Sequence, residues 1–189
     1  MVGHSEGGYL APRIAQSDER VAGLVVLAGN TRPIQDLIVE QVRYLTSLAP
    51  DAQAQARTDE ALRFKIAVED PALRPDATIA TPGGGTLTGA YLIDLRAYQP
   101  ATVAAGLACP MLIVRGERDY QVAQADFDGW KGAIGQQPRV TLKQFPGLDH
   151  LFVAGTGPST PAEYEHAGHV DAAVVEDVAR WIETAIPRR

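Results

Sequence analysis

Cysteine is almost missing from this 189-residue chain: Cys109 stands alone, so no intrachain disulfide can form. It precedes Pro110 and an apolar run, with no Lys, Arg or His beside it to stabilise a thiolate, and reads as a buried structural thiol. Long hydrophobic runs are missing too. The longest clean one, Val21–Ala28, is interrupted by Gly23 and much too short to cross a bilayer. No basic stripe exists to neutralise phosphates: 17 Lys and Arg against 23 Asp and Glu leave a formal charge of −6, which argues against nucleic acid as a partner. The charges are scattered as on a solvated surface, and no internal repeat is present. Met1-Val2-Gly3-His4-Ser5 has neither the basic region nor the hydrophobic stretch of a signal peptide, so a cytoplasmic location is expected.

What is present suits one globular domain: 46% hydrophobic residues, 21% charged, and enough length for a sizeable core. Three short apolar runs read as buried strands: Val21–Ala28, Pro110–Arg115 and Val140–Phe145. The first two are nearly continuously apolar, as parallel strands covered on both faces should be. Helical patterns alternate with them over Gly7–Gln16, Asp126–Ile134 and Val170–Ile186. The last of these aligns Val170, Val174, Val178, Trp181, Ile182 and Ala185 on one face. Strand–helix alternation of this kind predicts an α/β fold with a mostly parallel sheet. Between the first two strands, Ile34, Leu37, Ile38, Val42, Leu45 and Leu48 recur at helical spacing after Pro33, and a second helical stretch runs from about Asp59 to Val68. Thr81–Gly89 reads as a loop. Its Gly83-Gly84-Gly85 lacks the following Lys-Ser/Thr and the preceding strand of a phosphate cradle. We therefore expect core segments at 1–30 and 108–189, with 31–107 as a helical cap insertion.

The chemistry-bearing residues lie at strand ends. Gly3-His4-Ser5-Glu6-Gly7 matches G-x-S-x-G, a sharp strand-to-helix turn that holds a serine hydroxyl above a sheet. Glycine two residues to either side is expected so that side chains do not collide. The following helix points its first N–H groups at developing negative charge, with the Glu6 N–H as one oxyanion donor. The second apolar strand runs into Gly116-Glu117-Arg118-Asp119, and the third into Pro146-Gly147-Leu148-Asp149-His150. Open α/β sheets put their sites past the C-terminal ends of strands. The order serine, acid, histidine is that of a nucleophile, an orienting carboxylate and a base.

With these motifs the chain resembles the α/β-hydrolase superfamily, close to bacterial esterases of dienelactone-hydrolase-like and serine-aminopeptidase-like type. The matching stretches are GHSEGGYLAPRIA, LIVRGERDYQV, LDHLF and STPAEYEHAGHVDAAVVEDVARWI. The resemblance implies Ser5, Asp119 and His150 as a catalytic triad and a small-molecule ester or acyl substrate, with no cofactor and no metal. Glu117 is the alternative acid; loop position favours the residue further from the strand. Asp149, adjacent to His150, suits turn formation better than orienting the ring. His4 reads as packing or pocket lining. His166 and His169, near Glu163 and Asp171, read as loop and helix-start residues rather than metal ligands, with Asp171 able to cap the last helix. Tyr9, Tyr120 and Phe152 sit beside the motifs as core or pocket residues.

In that superfamily a strand and several more before it precede the serine, whereas here only Met1 and Val2 precede Gly3. A partial fold missing its N-terminal strands is expected, with the Val21–Ala28 strand losing its neighbour and exposing an edge open to self-association. Such a chain alone is expected to be weakly active or inactive, and any targeting segment would lie in the missing part. A non-catalytic binding fragment, or a peptidase or thioesterase with the same triad, are the alternative functions.

Overall fold

The computed structural model describes residues 1–186, so the last three positions of the expected core segment 108–189 lie outside the described residues. Along the chain run β1 (Val2–His4), α1 (Glu6–Ser17), β2 (Leu24–Leu27), α2 (Ile34–Leu48), α3 (Ala54–Glu69), β3 (Thr78–Ala80), β4 (Thr86–Thr88), α4 (Gly89–Ala97), α5 (Pro100–Ala105), β5 (Met111–Gly116), α6 (Gln124–Ile134), β6 (Val140–Phe145) and α7 (Ala172–Ala185), with a 3-10 turn at Pro161–Glu165. Two compact units result. One contains Met1–Thr31 together with the described residues from Gln99 onward, and the other is Arg32–Tyr98.

The first unit is built on a four-stranded sheet of order β1-β2-β5-β6, with every neighbour parallel. Side chains alternate across a strand, so a strand covered on both faces must be apolar throughout. Leu24, Val26, Met111 and Ile113 face one way and pack with Ala11 of α1, Ala104 of α5, and Phe127, Trp130 and Ile134 of α6. Val25, Leu112 and Val114 face the other way and meet Leu148, Phe152 and Val174, with Val178 and Trp181 of α7 packed alongside. Each fully buried aliphatic side chain contributes roughly 1.5–3 kcal/mol through area removed from water. Trp130 is pinned as well as buried, because its Nε1–H donates to Gly29 O at 2.7 Å.

Two expectations need correction here, and one element was not read. The strand at Leu24–Leu27 does not lose its neighbour: Val2, Gly3 and His4 pair with Val25, Val26 and Leu27. Three residues suffice because the strand runs right up to the turn, so β2 is an inner strand and β1 lies outside it, with Val2 54% exposed. Val170 is not on the face of the last helix. Asp171 caps that helix, its carboxylate accepting the Ala173 N–H, and so Val170 precedes the first turn and is exposed. The α5 helix, unread in the sequence, packs on α1 and α6; its six residues are too few to show a period.

The second unit packs Phe64 and Val68 of α3 and Leu92 of α4, with Ile38, Leu73, Ile79 and Leu87 against them. Thr81–Gly89 is not a plain loop. Thr78–Ala80 and Thr86–Thr88 pair as an antiparallel hairpin, and Gly83, Gly84 and Gly85 take φ of 82°, 104° and 91° in its turn. Thr88 then caps α4 by accepting the Tyr91 N–H. A three-residue strand is shorter than an alternation pattern can register, which is why the glycines alone were visible. Among the described residues no helix is long and apolar enough to cross a membrane.

Candidate active site

The backbone at Ser5 is left-handed, with φ 55° and ψ −120°. A non-glycine residue holds such a conformation, at a cost of about 1–3 kcal/mol, only where its surroundings over-determine it. Here they do. The Ser5 N–H donates to Leu27 O at 2.9 Å, extending the sheet, while Ser5 O accepts the Tyr9 N–H at 3.0 Å and opens α1. The chain therefore passes from strand to helix within one residue. The close approach this forces falls on Gly3: a Cβ there would sit 2.3 Å from Gly7 O. Gly7 departs from expectation, since a Cβ added to it meets nothing within 4 Å. The tightness is one-sided, because the Gly3 Cα faces the helix backbone while Gly7 faces outward. Glu6 is the first residue of α1, at the end where helix N–H groups lack helical acceptors.

Asp119 and His150 meet. Both are buried, and Asp119 Oδ2 lies 2.8 Å from His150 Nδ1. The other oxygen, Oδ1, accepts the N–H groups of Gln121 at 2.8 Å and Val122 at 2.9 Å, so the carboxylate is held at both ends. An ionised carboxylate can only accept, so the imidazole donates from Nδ1 and leaves a lone pair on Nε2. Glu117, the alternative acid, is exposed. Asp149 forms a turn instead: its Oδ1 accepts the Leu151 and Val153 N–H groups, both at 2.9 Å. The acid and base loops are stitched directly, with the Arg118 N–H donating to Leu148 O at 2.9 Å and the Glu117 N–H to Phe145 O at 2.9 Å.

Ser5 is brought to the same end of the sheet. Its chain neighbour His4 donates from Nε2 to His150 O at 2.8 Å, and the two rings lie 4.7 Å apart between centroids. The Ser5 hydrogen bonds run through its backbone, and no bond from its hydroxyl to His150 is formed among the described residues.

Two arginines support the site and carry no sequence signal beyond standing near its motifs. Arg115, buried at the end of β5, donates to Val122 O, Gln124 Oε1, Glu117 O and Asp119 O, and so clamps the acid loop from beneath. Burial lowers its guanidinium pKa from the ordinary value. Arg118 donates to Gly157 O and to Glu163, whose carboxylate also accepts the Ser159 hydroxyl. Those contacts, Ser159 first, hold the Glu163 carboxyl below its ordinary value. Tyr164 accepts from Gln121 Nε2 at 3.0 Å, and burial pushes its phenol up. A cavity of about 330 Å³ is lined by Asp149, Leu151 and Val153, which alternate with His150 and Phe152 along the base loop, and by Glu163, Tyr164 and His166. Tyr9 and Phe152 are core residues, and Cys109 is half-buried, its thiol pushed up by that burial.

No family model matches the chain. It is 34% identical over 183 residues to Esterase EstD of Thermotoga maritima, a match covering 96% of this chain and 42% of that protein. The chain thus spans less than half the length of the curated relative it matches. Its fold is similar to the esterase domain of a Rhodothermus marinus protein, with a TM-score of 0.53 at 15% identity over 96% of this chain and 59% of that one. It is similar also to a thermophilic esterase from Thermogutta terrifontis, with a TM-score of 0.51 at 18% identity over 98% of this chain and 65% of that one. With a parallel β1-β2-β5-β6 sheet flanked by helices and a serine turn at the end of β1, the chain shares the α/β-hydrolase fold of these solved structures.

Proposed function

We propose that this chain carries the triad of a carboxylic ester hydrolase, with Ser5 as nucleophile, His150 as base and Asp119 as the acid that orients it. The observation that carries this is the buried 2.8 Å pair of Asp119 Oδ2 and His150 Nδ1, next to a serine held at φ 55°. With Nδ1–H committed to the carboxylate, Nε2 is free to take the Ser5 proton as Oγ attacks the carbonyl carbon. The tetrahedral oxyanion then faces the Glu6 N–H at the start of α1, where a helix end favours negative charge. Collapse of this intermediate releases the alcohol, which takes the proton from His150 and leaves an acyl group on Ser5. Water, deprotonated by the same Nε2, attacks the acyl carbon and regenerates the serine. No step needs a metal or a cofactor. The relative's description as an esterase supports esters ahead of amides or thioesters.

The test is turnover of short-chain p-nitrophenyl esters beside matched thioester and aminoacyl-amide substrates. Ester cleavage, expected to be weak in this chain, should exceed the other two and vanish in Ser5→Ala. An alanine variant with wild-type ester turnover contradicts the proposal, and a preference for the amide shifts it to a peptidase.

A further inference from the structure

We propose that His4 is a positioning residue for His150, acting through the hydrogen bond from its Nε2 to the His150 carbonyl; this rests on the Ser5–His150–Asp119 reading above. Two strands, β2 and β5, stand between the strand that carries the serine and the strand that leads to the histidine. The separation of nucleophile and base therefore accumulates the slack of three strand pairings. The bonds from Asp119 and Arg118 tie the base loop to the acid loop after β5, and the Asp171 N–H ties it to the start of α7 through Phe152 O. Those contacts fix the ring's orientation without referring it to Ser5. His4 supplies that reference from β1 itself, one residue from the nucleophile and across 146 positions of sequence.

The geometry suits the role. A carbonyl only accepts, so His4 donates from Nε2 whether its ring is neutral or charged. The His4 ring lies against the His150 ring, 4.7 Å between centroids at 49°, and edge-on to Phe152 at 6.3 Å. Phe152 is itself buried at φ 59°, its N–H donating to Asp149 O, so the surface His4 meets is rigid. The His4 side chain thus makes two separable contributions, a donor and an aromatic face, and only the donor sets the distance between elbow and base loop.

Two variants separate them. His4→Phe keeps a ring and removes the donor, whereas His4→Gln keeps a donor at similar reach and removes the ring. The readouts are the rate of fluorophosphonate labelling, the histidine ring signals in a ¹⁵N-histidine NMR spectrum, and the thermal midpoint. Losing one neutral hydrogen bond's worth of positioning should slow labelling about 3- to 10-fold in His4→Phe. The His150 signals should broaden while the midpoint stays within about 2 °C. His4→Gln should recover labelling to within about twofold of wild type and restore sharp His150 signals. Wild-type labelling and unchanged His150 signals in His4→Phe overturn the proposal. So does a His4→Gln variant as slow as His4→Phe, since packing alone then accounts for the residue. If the wild-type chain itself fails to label at Ser5, the hydrolase reading has failed instead. The His150 signals then decide the positioning role alone: perturbed in Phe and restored in Gln supports it, and any other pattern overturns it.

Discussion

Replacing Asp119 with asparagine changes one atom of a buried group and should abolish the chemistry with little loss of fold. The side-chain oxygen Oδ1 can go on accepting the Gln121 and Val122 N–H groups, so the loop keeps its shape. Opposite His150 Nδ1, however, an NH₂ now stands where the accepting oxygen was 2.8 Å away. Two donors cannot face each other, so the imidazole must move its proton to Nε2 and accept at Nδ1. That tautomer has no lone pair for the Ser5 proton. A buried acid of this kind is worth roughly 10⁴-fold in turnover, or about 5.5 kcal/mol of transition-state stabilisation. The stability cost is smaller, because a charge-assisted bond is exchanged for a neutral one: about 1–2 kcal/mol, read as a fall of a few degrees in midpoint. Covalent labelling at Ser5, followed beside thermal unfolding, measures both. Glu117→Gln is the matched control and should label at the wild-type rate, because Glu117 is exposed. An Asp119→Asn variant labelling within tenfold of wild type, or a Glu117→Gln variant that is the slow one, refutes the assignment.

The elbow makes a paired prediction. Gly3→Ala should cost about 2–4 kcal/mol, because its Cβ would stand 2.3 Å from backbone at Gly7. Gly7→Ala, with open space around its Cβ, should be neutral or stabilise α1 by about 0.5–1 kcal/mol. Equal urea midpoints for the two variants would count against this backbone geometry. Acid should loosen the segment around Glu163. Its carboxyl is held below the ordinary value by Ser159 and then Arg118, so its contribution is complete above that ordinary value, about 4.3, and is lost as pH falls through the lower folded value. Glu163→Gln should therefore flatten the fall in urea midpoint between about pH 5 and 3, and parallel profiles would contradict the tie. Arg115→Met removes three hydrogen bonds to the acid loop and one to Gln124 of α6, and should slow labelling as well as lower the midpoint; a lower midpoint with unchanged labelling would deny the clamp.

Much of this was legible in the sequence where burial writes a pattern. The continuous apolar runs at Leu24–Leu27 and Met111–Gly116 belong to strands covered on both faces. The acid and base candidates followed from their positions just beyond β5 and β6. Shorter elements stayed hidden, because β1, β3 and β4 have three residues each and α5 has six, below the length at which a period can be counted. The pairing of β1 with β2 was missed for that reason, and the outer edge was assigned to the wrong strand. The bonds of His4 and Arg118 carry no sequence signal because they are long-range: His4 bonds a residue 146 positions away, and Arg118 reaches Glu163 across 45. A histidine inside a serine motif could have been flagged for proximity, but the partner of its ring nitrogen is set by the β6 loop alone.

The most direct measurement is the site of fluorophosphonate attachment. Peptide mapping by mass spectrometry after labelling should find the adduct on Ser5, with none on Ser17, Ser47 or Ser159, and both His150→Ala and Asp119→Asn should suppress it. An adduct on another residue, or Ser5 labelling that persists undiminished without His150, would contradict the triad.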